Sequence, residues 1–254
     1  MFPTLDNIMK SEGSVDYGRL VGSYIQQDDL AGAYHELSLV LAERTPFRIL
    51  EKISMGIWQA TGTHLLGRID DFIDDIAAHK TEGGWVVIGC LLRSRLDANM
   101  PAAFNRCHKY LTGAEIWYIA DILGERVPGP ALLSDFNPAL KLLDPWRADP
   151  NRWVRRVVGV AVHFWTKRSS LDIDRAQRLL FLLEPMFEER NLDALKGVGW
   201  GLKTLGKYYP DLTTDWLAYQ LFEMKRHPRA LILRKTLTYL PELQRTRMLK
   251  ELDL

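Results

Sequence analysis

Apolar residues recur every three or four positions along almost the whole chain and strict alternation is rare, so the pattern predicts helices and no sheet. Predicted helices run 15–27, 29–44, 46–63, 65–80, 83–96 and 100–110, then 113–126, 136–147, 150–167, 171–189, 191–208, 211–225, 228–240 and 241–252. Residues 1–14 read as a loose leader to a single domain spanning 1–254. Val127-Pro-Gly-Pro130 and Tyr209-Pro210 mark joints. Thr45-Pro46 has the form of a helix start, a capping Thr with Pro at the first helical position, and Asn99-Met-Pro101 is a similar boundary.

Helices of similar length with short joints predict an α-solenoid, which should carry an internal repeat. Arg156-Val-Val-Gly159, Lys196-Gly-Val-Gly199 and Lys235-Thr-Leu-Thr238 share a basic, any, aliphatic, small pattern, with basic residues 40 and 39 positions apart. That step suits a HEAT-like helix pair. The expected fold is therefore all-α, a solenoid of HEAT-like pairs whose equivalent helices line a concave face. Arg156, Lys196 and Lys235 would form a basic ladder there, with Arg152, Arg155, Lys203, Arg226, Arg229 and Arg234 beside it. A polyanion with regular phosphate spacing fits such a ladder. The plainer reading, basic residues decorating a solvated face, weighs about the same.

The net charge of +1 hides an uneven distribution. Residues 1–100 carry nine Lys/Arg against fourteen Asp/Glu, and residues 101–254 carry twenty-four against eighteen. An anionic partner should meet the second part. Cys90 and Cys107 are too few for a disulfide framework, which fits a reducing cytoplasm. No apolar run approaches membrane-spanning length, and the first residues lack a signal-peptide pattern, so no membrane partner is expected.

Familiar catalytic signatures are missing. There is no phosphate-binding glycine loop, no HExxH pair and no GxSxG elbow, and the six His lack zinc spacing. Asp70, Asp71, Asp74 and Asp75 spread over too wide a helix face for one metal ion and read as a solvated face. No metal and no cofactor are expected. Chemistry is left to carboxylates, aromatics and cations. Trp117 and Asp121, four apart, share one helix face. An indole face attracts cations and the carboxylate adds full negative charge, although a core Trp beside a surface Asp is the commoner meaning of such a pair. Trp153 reads as packing, and Trp58, Trp85, Trp146, Trp165 and Trp216 receive no role.

Three segments taken together resemble the AlkD family of bacterial HEAT-repeat DNA glycosylases: Trp117-Tyr-Ile-Ala-Asp121, Asp149-Pro-Asn-Arg-Trp153-Val-Arg-Arg156 and Lys196-Gly-Val-Gly-Trp200-Gly-Leu-Lys203. The similarity covers about residues 85–240. Tyr118 departs from it, since the family often has Asp directly after the first Trp. The resemblance implies an enzyme that removes N3- and N7-alkylated purines from duplex DNA, as a monomer in the cytoplasm and on the nucleoid when bound. It implies Asp121, Trp117 and Trp200 at the active site and Arg156 on a backbone phosphate; from the ladder, Lys196, Lys203, Arg234 and Lys235 are expected to complete the DNA contact. The alternative is a non-catalytic HEAT-repeat protein that binds damaged or branched DNA, since a fold does not establish a function.

Overall fold

The computed structural model describes residues 11–251, with side chains from Gly13 to Lys250; the start of the expected leader, residues 1–10, lies outside the described residues. Helices follow one another as α1 (Ser11–Gln26), α2 (Leu30–Leu41), α3 (Phe47–Thr61), α4 (Leu66–Ala78), α5 (Glu82–Ser94) and α6 (Leu96–Thr112). After them come α7 (Trp117–Arg126), α8 (Pro128–Ser134), α9 (Phe136–Leu143), α10 (Arg152–Arg168) and α11 (Ile173–Leu183). The last are α12 (Leu192–Tyr208), α13 (Pro210–Ala218), α14 (Ala230–Leu237) and α15 (Glu242–Glu251). There is no strand among the described residues. The protein is all-α, and none of the described helices is long and apolar enough to cross a membrane.

The helices cluster into two compact units that divide between Tyr110 and Leu111. In the first, α3 packs between α1 and α5, and α2 packs on α1 and α4. In the second, α10 packs on α7, α8 and α12, and α12 packs on α14. A second row, α11, α13 and α15, runs beside them, each helix touching the next. Alternate helices thus stack on one another within each unit, as helix-pair repeats require.

Several sequence expectations change at the joints. Residues 11–14, expected in the leader, open α1, where Ser14 is fully buried. The Thr45 hydroxyl does not cap α3; it donates to the Val40 carbonyl at 2.7 Å and so closes the end of α2. Pro128-Gly-Pro130, expected as a joint, starts α8, because Pro is favoured at a first helical position where no N–H donor is needed. The expected 171–189 helix ends at Leu183 in a 3-10 turn at Pro185, and 211–225 passes at Tyr219 into a π turn. Asn99 does break its helix: its backbone leaves the helical region and its side chain accepts from Ala102 N at 3.0 Å.

The repeat step reappears in the capping. Asn151 accepts from Trp153 N at the start of α10, and Asn191 accepts from Asp193 N and Ala194 N at the start of α12. Asp149 and Glu189, each two residues earlier, accept from the backbone N–H of those two Asn. Each such cap contributes about 1 kcal/mol. The same carboxylate–Asn device, 40 residues apart, therefore sets the entry of both helices.

Four glycines set the closest helix crossings. A Cβ on Gly159 would lie 2.1 Å from the Gly197 carbonyl oxygen, and one on Gly197 would lie 2.3 Å from that of Arg156. In the first unit a Cβ on Gly18 would lie 2.0 Å from the Ile53 carbonyl oxygen, and one on Gly56 the same distance from that of Val15. Both pairs are 38 residues apart. Backbone cannot move aside as a side-chain tip can, so Gly159→Ala is expected to lower stability by about 1–3 kcal/mol in urea unfolding. Gly67→Ala, on an exposed turn of α4 with open space around it, is expected to change stability by about 1 kcal/mol or less, in the stabilising direction. Equal stability of Gly159→Ala and wild type would rule out the crossing as a constraint.

Candidate functional site

Trp117 is the first residue of α7 and remains 54% exposed. Trp85, Trp146, Trp153, Trp165 and Trp216 are all buried, so Trp117 stands apart. No packing requirement accounts for an indole left in water. Its edge-to-face neighbour is Tyr118, with ring centroids 6.1 Å apart, so the residue that departs from the family pattern supports the indole.

One turn along α7, Asp121 is gripped from α10. Arg156 Nε donates to one of its carboxylate oxygens at 2.7 Å and Nη2 donates to the other at 2.8 Å. Arg156 Nη1 also donates to the Asp193 carbonyl of α12 at 3.1 Å. One buried guanidinium therefore ties α7, α10 and α12 together. A two-point fork holds a carboxylate in orientation as well as in charge. The sequence reading put Arg156 on a phosphate; the fold places it first on Asp121, with two N–H groups left over. Its guanidinium carbon lies 5.9 Å from the Trp117 ring centroid, so indole, carboxylate and guanidinium form one cluster.

Trp200, on α12, is partly exposed and stacks on His163 of α10, with centroids 4.1 Å apart and an interplanar angle of 23°. One indole face is thus occupied. His163 Nδ1 pairs with the Thr204 hydroxyl at 2.7 Å. Burial, aided by the positive charges of Lys167, Arg168 and Lys203, pushes the His163 imidazole down to about 4. It is neutral at physiological pH, and sequence reading gave it no role. The available signal was its place two turns beyond Arg156 on α10.

The ladder residues divide by type. Lys196 and Arg234 are exposed, while Lys203 is partly exposed with its ammonium 4.0 Å from the Tyr239 ring centroid. Lys235 is held below the ordinary lysine range, first by burial and then by the charges of Lys203, Arg156, Lys196 and Arg234. That mutual repulsion brings the five expected basic positions into one electrostatic neighbourhood. Gly199 leaves space for the Lys235 side chain, since a Cβ there would lie 2.5 Å from Lys235 Cδ. The accessory arginines, in contrast, are occupied inside the protein. Arg155 pairs with Glu189 at 2.7 Å, Arg152 with Asp193 at 3.3 Å, Arg226 donates to the Glu184 carbonyl and Arg229 to that of Arg190. In the first unit, Asp70 and Asp74, expected on a solvated face, are instead bound into a network with Arg95, Arg106, Lys109 and Tyr110.

Glu125, one turn beyond Asp121, was also missed by sequence reading, although the i, i+4 register marked it. It is partly buried and accepts no hydrogen bond or ion pair among the described residues. Burial holds its carboxyl above the ordinary glutamate range. Arg126 and Arg168 oppose this, Asp121 adds to it and Lys167 opposes it.

A family model described as DNA alkylation repair enzyme matches residues 48–240. No curated protein and no solved structure matches the chain.

The neutral imidazole has a consequence for stability. The unfolded chain takes up a proton on this residue as pH falls below 6.5, while the folded protein resists it down to about 4. The His163 contribution is therefore complete above pH 6.5 and is lost between there and about 4, by at most about 3 kcal/mol. Urea unfolding at a series of pH values should show wild type losing stability over this window more steeply than His163→Gln. Parallel curves would contradict the assignment.

Proposed function

The chain belongs to the family of DNA alkylation repair enzymes, and from that premise we propose that it is a DNA glycosylase. Its substrates are cationic N3- and N7-alkylated purines, of the 3-methyladenine and 7-methylguanine type, in duplex DNA. The observation that carries this reading is the cluster of exposed Trp117 with Asp121 held at two points by Arg156. A binding module has no use for a fixed carboxylate facing a polyanion.

The chemistry follows from the charge already on the lesion. An alkylated purine leaves readily because departure neutralises it, so little general-acid help is needed. What the protein must supply is stabilisation of an oxocarbenium-like sugar. Asp121 supplies it, and because Arg156 fixes the carboxylate beforehand, little reorganisation is needed as the charge develops. Trp117 and Trp200 pack against the damaged nucleotide. Cation–π contacts contribute about 0.5–2 kcal/mol each, too little to account for catalysis alone. Arg156 offers its remaining N–H groups to a phosphate, while Lys196, Lys203, Arg234 and Lys235 hold the strand in register. The step uses no metal or cofactor, and the enzyme acts as a monomer in the cytoplasm.

Incubation with randomly methylated duplex DNA, followed by measurement of free 3-methyladenine and 7-methylguanine, tests the reading. Wild type is expected to release both, and Asp121→Asn to be slower by about 10²-fold or more with duplex binding at low salt retained. Binding without release by wild type would make the protein a non-catalytic binder of damaged DNA. Release by Asp121→Asn at the wild-type rate would remove the carboxylate from the mechanism.

A further inference from the structure

The glycine crossing beside Arg156 also brings a second side chain of α10 onto α12. Arg156 lies three residues before Gly159 and His163 four residues after it, so the two share one helix face on either side of the crossing. Gly201 keeps the second half close: a Cβ there would lie 2.9 Å from the Gly159 carbonyl oxygen and 3.3 Å from Val162 Cβ. At this distance His163 stacks on the Trp200 indole and reaches Thr204, one turn further along α12.

The contacts of this trio close on one another. The imidazole and indole centroids are 4.1 Å apart with 23° between the planes, and His163 Nδ1 lies 2.7 Å from the Thr204 hydroxyl. That hydroxyl donates to the Trp200 carbonyl at 3.0 Å. A hydroxyl has one proton to give. With it committed to the carbonyl, the Thr204 oxygen accepts, and His163 Nδ1 carries the proton that it donates. Tautomer and ring plane of the imidazole are thereby both fixed, and the fixed ring lies against the indole. His163 and Thr204 are buried, whereas Trp200 is partly exposed. On its own helix, Gly197, three residues before Trp200, has no side chain to steady the indole.

We infer that His163 is a positioning residue for the reaction, fixing the plane of the Trp200 indole before the alkylated base arrives. This deepens the glycosylase reading and rests on it, since that reading packs Trp200 against the damaged nucleotide. An indole ordered beforehand spares the cost of immobilising it when the nucleotide binds. A neutral ring suits the place. Burial keeps the imidazole uncharged, so His163 adds no charge to those of Lys167, Arg168 and Lys203 around it. An indole that is to receive a positively charged purine then has no cation stacked behind it.

A double-mutant cycle of His163 and Trp200, read by single-turnover release of 7-methylguanine from a methylated duplex, tests the inference. His163→Ala is expected to slow release by about 3- to 10-fold, the range of one aromatic pair, and His163→Phe, which keeps a ring in the stack, to stay within about 2-fold of wild type. In a Trp200→Leu background, itself expected to be slow, His163→Ala should make no further difference. A merely structural role would slow release by the same factor with or without Trp200. Equal factors, an unchanged rate in His163→Ala, or His163→Phe as slow as His163→Ala overturns the inference and leaves the glycosylase reading intact. If His163→Ala does not fold, Thr204→Val takes its place in the cycle: it removes the acceptor of Nδ1 and should slow release only where Trp200 is present, and any other result overturns the inference. If Trp200→Leu releases nothing, the comparison of His163→Phe with His163→Ala decides. Duplex binding with no release by wild type overturns the parent reading and this one together.

Discussion

The site depends on how closely α10 and α12 cross. At Gly159 and Gly197 the two backbones meet with no side chain between them, an approach that any Cβ would prevent. Glycine inside a helix costs roughly 1 kcal/mol relative to alanine, so two of them at one crossing represent a real expense in helix propensity. What the crossing achieves is reach. A Cβ on Gly197 would also lie 2.9 Å from Arg156 Cγ, so the arginine side chain runs through space that this glycine leaves free. From there it spans to Asp121 on one side and to the Asp193 carbonyl on the other. A wider spacing would remove the contact to the Asp193 carbonyl.

Helix α7 carries the carboxylates because its two faces have different tasks. Ile119, Ala120, Ile122, Leu123 and Gly124 pack inward, Gly124 against Val160 of α10, which fixes the helix rotationally. The opposite stripe then has no choice of direction. Along it the surroundings change within two turns, from the water around Trp117, through the guanidinium fork on Asp121, to Glu125, which is partly desolvated and has no hydrogen bond or ion pair among the described residues. Three residues of one register thus acquire three environments.

Arginine and lysine are used differently throughout the second unit. Arg155, Arg156, Arg226 and Arg229 bond to carboxylates or carbonyls of neighbouring segments, where a planar fork with several donors satisfies more than one acceptor. Lys196, Lys203 and Lys235 make no ion pair among the described residues and crowd one another instead. Crowded like charges are an internal cost that an anionic partner relieves, whereas the paired arginines gain little from one. The charge available to a polyanion is therefore narrower than a count of basic residues suggests.

Much of this molecule follows from periodicity. Helical class, most helix positions, the repeat step and the shared face of Trp117 and Asp121 all depend on spacings of a few residues, which local hydrogen bonding and side-chain burial dictate. The three family segments added which of the eight tryptophans to single out, and Trp117 and Trp200 are the two of the second unit that are not buried. The 3-10 and π endings, the start of α8 at Pro128 and the diversion of Thr45 to Val40 turn on competition among neighbouring acceptors. Which arginines are consumed internally, that Arg156 grips Asp121 and that His163 covers one face of Trp200 were decided by packing. Those partners stand 35 to 41 residues apart, and only the glycine-determined distance between helices brings them within bonding reach.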